Sequence, residues 1–188
     1  MAWRLCNGQL KKDVKGSIQM SILDIKTYPD PVLSKKCSEL TDINKDIDNL
    51  INQMVRIMYN AQGVGLAASQ VGILKSLAVI DTSCGKKRGD LIVLVNPHIT
   101  HSEGEEFADE GCLSIPDYRG DVKRAAIVNV RYTDRKGNPR EIEARELLAR
   151  ALQHEIDHLQ GILFIDRLGK IKRELVKKRL LKKLSKGR

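Results

Sequence analysis

His154-Glu155-Ile156-Asp157-His158 is the stretch on which the reading of this chain turns. The segment around it, Arg145 to Gln160, contains no Gly or Pro, and Leu147, Leu148, Ala151, Leu152, Ile156 and Leu159 recur at helical spacing. That pattern predicts a buried amphipathic helix. Residues four apart on a helix stand one turn above each other on the same face. His154 and His158 can therefore aim an imidazole nitrogen at one ion, and Glu155 can reach a water bound to that ion. The bland alternative is two ordinary helix histidines beside a surface glutamate, and the rarity of the pattern argues against it. Several hydrolase families share such a helix, so it names a chemistry and not yet a substrate.

A catalytic metal site needs a third protein ligand and an open position. Downstream of His158 there is no further His, and the remaining acids, Asp166 and Glu174, match no ligand motif. Upstream, Glu110-Gly111-Cys112-Leu113-Ser114-Ile115-Pro116 reads as a turn that presents a side chain, with Gly111 allowing close backbone approach. Cys112 could bind an ion as thiolate; standing alone it would read as a small buried hydrophobe. In Gly63-Val64-Gly65-Leu66-Ala67-Ala68-Ser69-Gln70, two glycines one residue apart let extended backbone run close to a ligand, with the Gln70 amide at a fixed distance. This segment has neither the Gly-Lys-Ser/Thr end of a phosphate loop nor the full dinucleotide fingerprint.

Taken together and in this order, the three stretches resemble the peptide deformylases: Gly-x-Gly-Leu-Ala-Ala-x-Gln at 63–70, Glu-Gly-Cys-Leu-Ser at 110–114, and the His-Glu helix at 154–158. The resemblance covers roughly residues 20 to 168, including the Tyr-Pro-Asp-Pro-Val-Leu turn that ends at Leu33. It implies one divalent metal ion per chain held by Cys112, His154 and His158, with Fe(2+) the native ion and Zn(2+), Ni(2+) or Co(2+) also compatible with two imidazoles and a thiolate. It further implies hydrolysis of the N-terminal formyl group of formyl-methionyl nascent polypeptides by water activated on the ion. Glu155 would serve as general base and then acid, while the Gln70 side chain and the Leu113 backbone N–H stabilise the oxyanion. Gly63, Val64, Gly65, Glu110, Gly111, Arg119 and Leu147 are counted with the substrate groove, Val64 and Leu147 as walls of a methionine pocket. Two rival readings stay open at this point. One is a metallopeptidase cutting internal peptide bonds, and the other is an RNA- or ribosome-binding protein with a vestigial metal site.

Strands ahead of the metal helix, without βαβ alternation, point to an α+β fold. The expectation is small antiparallel sheets packed around a central metal-binding helix, with an N-terminal and a basic C-terminal helix. The N-terminal helix is placed near 42–60, where Ile43, Ile47, Leu50, Ile51, Met54 and Met58 mark one face. Strands are placed near 76–81, 91–95, 98–107, 125–133 and 139–144. His98 and His101 read as surface residues. Residues 1–19 are expected to be a disordered extension or the product of an upstream start codon, a targeting peptide being the weaker alternative with Arg4 its one arginine. Residues 20–169 then form the catalytic domain.

Charge is gathered at one end. Residues 170–188 hold ten Lys or Arg against Glu174 alone, so the +9 net charge of the chain lies entirely there. Ile171, Leu175, Val176, Leu180, Leu181 and Leu184 add an apolar stripe at helical spacing. Such a helix can dock on its own core or bind RNA or a membrane, and the resemblance favours the ribosome near the peptide tunnel exit. No apolar run reaches membrane-spanning length. Cys6, Cys37, Cys84 and Cys112 show no paired spacing, which argues against a disulfide framework and for a reducing cytoplasm.

Overall fold

The computed structural model of this chain describes residues 23–87 and 90–186. Its organising element is a five-stranded antiparallel sheet built from β1 (Gly65–Ala67), β2 (Leu77–Ile80), β3 (Ile92–Glu103), β6 (Ile127–Thr133) and β7 (Pro139–Arg145), in the order β1-β2-β3-β6-β7. Side chains alternate across a strand, and here both faces are apolar. Leu77, Val79, Val93 and Val95 meet α1 (Lys45–Asn60) through Ile51, Met54 and Met58. Ala78, Ile80, Leu94, Val128, Val130 and Ala144 meet α2 (Glu146–Leu159) through Ala149, Ala151, Leu152, Ile156 and Leu159. β1, β2 and the first part of β3 therefore read as continuous apolar runs, as strands covered on both sides do, whereas β6 and β7 keep polar residues on an exposed face.

The start of α1 is set by Asn44, whose side chain accepts from the backbone N–H of Asp46 and Ile47 at 3.0 and 3.1 Å. Such a cap is worth ~1 kcal/mol. The far side of α2 is closed by a second, two-stranded sheet, β4 (Glu106–Cys112) with β5 (Ile115–Arg124). Enclosed between the two sheets, every residue of α2 from Ala149 to Leu159 is buried. The fold is α+β around a central helix, as the sequence implied.

Several details depart from that reading. The β4–β5 hairpin escaped it because its charged sequence, Glu-Phe-Ala-Asp-Glu-Gly-Cys and Ile-Pro-Asp-Tyr-Arg-Gly-Asp-Val-Lys-Arg, carries no clean alternation. The strand placed at 98–107 instead ends at Glu103, and Gly104, at φ +68°, turns the chain into β4. The two strands placed at 91–95 and 98–107 are one strand with a register shift between Val95 and His98. Within that shift the Asn96 side chain exchanges hydrogen bonds with the N–H and C=O of Leu40 at 2.9 and 2.7 Å. A bulge is one of the few places a strand accepts Pro97. His98 and His101 are exposed on β3, as expected.

The basic tail is helical as α3 (Lys170–Lys186), but its apolar stripe divides. Val176 is buried and Leu180 partly so, against Leu163, Phe164, Leu168 and the hairpin residues Ile115 and Val122, whereas Ile171, Leu175 and Leu181 face solvent. Lys177 Nζ donates to Asp166 Oδ1 at 2.9 Å, tying the helix to the turn before it. Cys84 is disulfide-bonded, contrary to the reading of the cysteine spacing, while Cys37 and Cys112 are free thiols. The expectation for residues 1–19 lies outside the described residues. No helix among the described residues is long and apolar enough to cross a membrane.

Candidate metal centre and active site

One turn of α2 separates His154 from His158, and the end of β4 brings Cys112 to both. One ligand atom from each of these three residues lies within 4.8 Å of the others, and the Cys112 Sγ is 3.1 Å from His158 Nε2. The imidazole rings meet edge to face with centroids 4.9 Å apart. Two borderline nitrogens and one soft sulfur at this spacing fit a transition-metal ion with a fourth position open. The charge distribution asks for a cation as well. Burial disfavours a proton on His154, yet Cys112 and Glu110 overcome it and push the imidazole up to about 10. His158 goes the other way: burial, then the positive charges of His154 and Arg124, hold it well below its usual value.

Glu155 projects beside this cluster and is 1% exposed. Burial pushes its carboxyl up to about 7, against the pull of His154 and Arg124. Its Oε2 is buried without a hydrogen-bond partner, an orphan that points to a missing proton donor such as water. Gln70 is held for a task too. Its Oε1 accepts from the Ala67 N–H at 2.8 Å, which turns the NH2 end toward Cys112 Sγ at 3.5 Å and Ser114 Oγ at 3.2 Å. Cys112, His154, Glu155 and Gln70 open onto a cavity of about 510 Å³ lined also by Gln62, Gly63, Val64, Gly65, Gly111, Leu113, Ile115, Pro116, Tyr118 and Arg119, while His158 lies behind that wall. That volume lies within the range of small-molecule and peptide-end pockets. Arg119 stands at its mouth, its Nε donating to Asp109 Oδ2 at 2.6 Å.

Two residues counted with the substrate groove are not among those that line this cavity. Glu110 is fully buried behind His154 and away from the cavity wall. Its carboxylate accepts from Arg124 Nε and Nη2 at 2.9 and 3.0 Å, from Arg150 Nη1 at 2.7 Å and from His154 Nδ1 at 3.1 Å. Despite the cost of burial, these donors hold its carboxyl well below the usual carboxylate range. Its place is behind His154, where it fixes the orientation of the imidazole through Nδ1. Leu147, in the first turn of α2, is partly exposed and likewise outside the cavity wall.

Sequence reasoning missed the charged framework around Glu110. Arg124 also donates to Asp157, which Arg167 grips in turn at 3.0 Å through Nε. Arg150 donates to the carbonyls of Val122 and Glu106 at 3.0 and 3.1 Å, tying the hairpin to α2. Gln153 donates to Ala125 O at 2.9 Å and accepts from Ala125 N–H at 3.0 Å. The available signal was Arg150 itself, a charge among Leu147, Leu148, Ala151 and Leu152 on what should be an apolar face. A buried cation requires a buried partner.

The sequence profile described as polypeptide deformylase matches residues 22–174. The chain belongs to the polypeptide deformylase family. It is 56% identical over 160 residues to a peptide deformylase of Thermodesulfovibrio yellowstonii, spanning 85% of this chain and 97% of that protein. Among solved structures, a peptide deformylase from Legionella pneumophila superposes with a TM-score of 0.82 at 44% identity, over 89% of this chain and 99% of that one. One from Synechococcus elongatus, in complex with actinonin, superposes with a TM-score of 0.80 at 41% identity, over 89% of this chain and 90% of that one. The chain is accordingly an enzyme of a metal-dependent hydrolase family that removes the N-formyl group from nascent polypeptides. The internal-peptidase and vestigial-site readings fall with that membership.

Proposed function

We propose that the deformylation is carried out at the Cys112–His154–His158 cluster, with Glu155 moving the proton and Gln70 and the Leu113 N–H receiving the oxyanion. The observation that carries this reading is the convergence of a three-residue donor set, an orphaned buried carboxylate and a pre-turned amide on one cavity. β1 is an edge strand of the larger sheet, so its outer backbone can accept an extended peptide as an added strand. That pairing would lay the formyl-methionyl end along Gly63, Val64 and Gly65, with Gly111 and Arg119 on the opposite wall. A divalent ion held by the three ligands would polarise the formyl carbonyl and lower the pKa of a bound water toward ~7. Glu155, its buried carboxyl pushed up to about 7, would take a proton from the attacking water and return it to the leaving amine, which needs a group able to hold and release a proton at the same pH. The amide NH2 of Gln70, fixed before substrate arrives, costs no reorganisation when charge develops on oxygen. Products are formate and a peptide with a free N-terminal methionine.

The native ion is taken to be Fe(2+), with Zn(2+), Ni(2+) or Co(2+) able to occupy the same donors, and the compartment the cytoplasm, on the family resemblance and no longer on the cysteine spacing, which the Cys84 disulfide contradicts. The second part of the proposal is that α3 docks the enzyme at the ribosome near the peptide tunnel exit. Its exposed Ile171, Leu175 and Leu181 stand among lysines and arginines, a composition suited to RNA phosphate and a neighbouring protein surface. Formate release from formyl-Met-Ala-Ser, with unformylated Met-Ala-Ser as a cleavage control, tests the chemistry. Cleavage of an internal bond, or no formate from anaerobically prepared enzyme, would overturn it.

A further inference from the structure

Gly65 holds φ outside the left-handed region, in a strand paired to Ile80, so its backbone conformation is open to any residue. What glycine supplies there is space, and the space belongs to one group. A Cβ built at Gly65 would collide with Glu155 Oε1 and lie 2.8 Å from its Cδ and 3.0 Å from its Cγ. The contact thus involves the stem of Glu155 and not merely its tip, and Glu155 is buried with little room to retreat. We infer that Gly65 is a positioning residue: its missing side chain forms the seat in which the Glu155 carboxylate is held over the metal cluster. This rests on the proposed role of Glu155 as proton carrier, and it gives Gly65 a task distinct from presenting backbone to the peptide. Gly63, two residues earlier, provides the internal contrast. A Cβ there would meet Leu113 Cδ1 at 2.9 Å, with no Glu155 atom among its nearest contacts.

Relieving that collision requires the carboxylate to move by about 1 Å, and misplacement on that scale can cost ~10²-fold in rate. Gly65→Ala should therefore lower kcat by about two orders of magnitude with KM changed little, since the β1 backbone groups remain. The decisive measurement is a double-mutant cycle with Glu155→Ala, which removes the Cγ, Cδ and Oε1 atoms that the new Cβ would meet. If Gly65 acts through Glu155, Gly65→Ala adds no more than a few-fold loss to the residual rate of the Glu155→Ala background. Equal fold losses in both backgrounds would overturn the inference, as would a loss confined to KM. Gly63→Ala serves as the control, and its loss should multiply with that of Glu155→Ala. The same cycle read as Tm needs no activity: Gly65→Ala should lower Tm less in the Glu155→Ala chain than in the parent. Folding of the double variant where Gly65→Ala alone fails would support the seat, and failure of both would overturn it. Near-normal kcat in Glu155→Ala and Glu155→Gln alike would instead remove Glu155 from the mechanism, while the Tm cycle would still decide whether Gly65 seats it.

Discussion

The two faces of the larger sheet are covered by helices of similar length built on opposite rules. α1 buries Ile51, Met54 and Met58 and turns its polar residues outward, so one apolar stripe suffices. α2 is buried all round, and with its leucines and alanines it takes Arg150, Gln153, His154, Glu155, Asp157 and His158 inside. A helix enclosed on every side gains apolar contact at ~25 cal/mol per Å², but each polar group it carries inward must be matched. Glu110, Arg124, Arg150, Asp157 and the carbonyls of the hairpin perform that matching. The difference teaches where chemistry can live: α1 stabilises, while α2 holds reactive groups at fixed distances because the charged framework behind them cannot easily shift. That contrast predicts that lesions in α2 and α1 will separate rate from stability.

The largest effect should come from Glu155→Gln. Removing the proposed proton carrier while sparing Cys112, His154 and His158 should leave metal content near one per chain and reduce kcat by ~10²–10⁴-fold. Elemental analysis together with formate release checks both halves. Loss of the metal would make Glu155 a ligand, and near-normal turnover would relieve it of the proton role.

The framework should be the next most sensitive. Glu110→Gln removes a buried charge facing Arg124, Arg150 and His154, and unbalancing a buried ion pair typically costs ~3–5 kcal/mol. Because Glu110 also orients His154, a proposed metal ligand, affinity for the ion should fall ~10–100-fold. Its sign with pH follows from the depressed carboxyl. A carboxyl more acidic in the folded than in the unfolded chain stabilises the fold above its unfolded pKa of about 4.3, and that contribution disappears as pH falls below it. Urea unfolding across pH 3–7 should therefore show a steep acid loss in the parent chain and a shallower one in the variant. Parallel pH curves would contradict the assignment.

These contrasts also mark what the sequence could disclose. α1 and α2 were legible because a helical stripe is written locally, in residues three and four apart, and the His154/Glu155/His158 trio is part of one such stripe. The proposed third ligand was legible only through the resemblance, since Cys112 comes to His158 by a hairpin whose pairing runs out to Glu106 with Arg124 and is masked by charge. The burial of Glu110 was hidden for the same reason. Beside Gly111 and Cys112 it reads as part of a presenting turn, and only the fold shows that strand alternation points it inward at two arginines. Arg150 and Asp157, inside an apolar helix pattern, were the residues whose oddity should have signalled a buried network.

On the other face of the sheet, Met54→Ala should affect stability alone. Met54 is fully buried against the sheet, and truncation of such a side chain costs ~2–5 kcal/mol. The rate per folded molecule should remain within about two-fold of the parent, because no residue of α1 lines the cavity. Titrating active sites with a tight inhibitor would separate folded fraction from kcat. A drop in kcat comparable to that of Glu155→Gln would erase the distinction between the faces.

The smallest catalytic effect belongs to α3, where docking and charge can be separated. Deleting residues 170–188 would also strip Val176 and Leu180 from the cluster containing Phe164, which stacks 6.2 Å from His154. Truncation therefore confounds a lost partner with a loosened site. Changing the exposed Lys172, Lys178 and Arg179 to Gln keeps the docked side chains and removes three charges. Formyl-Met-Ala-Ser turnover should be unchanged, since these residues lie on the solvent side. Ribosome binding should weaken, and the log–log dependence of affinity on salt should become shallower by roughly two to three, close to one counterion per charge. Co-sedimentation with ribosomes at several salt concentrations gives that slope. An unaltered slope would remove α3 from the ribosome contact, whereas reduced peptide turnover would show that this charged face reaches the active site through the helix it covers.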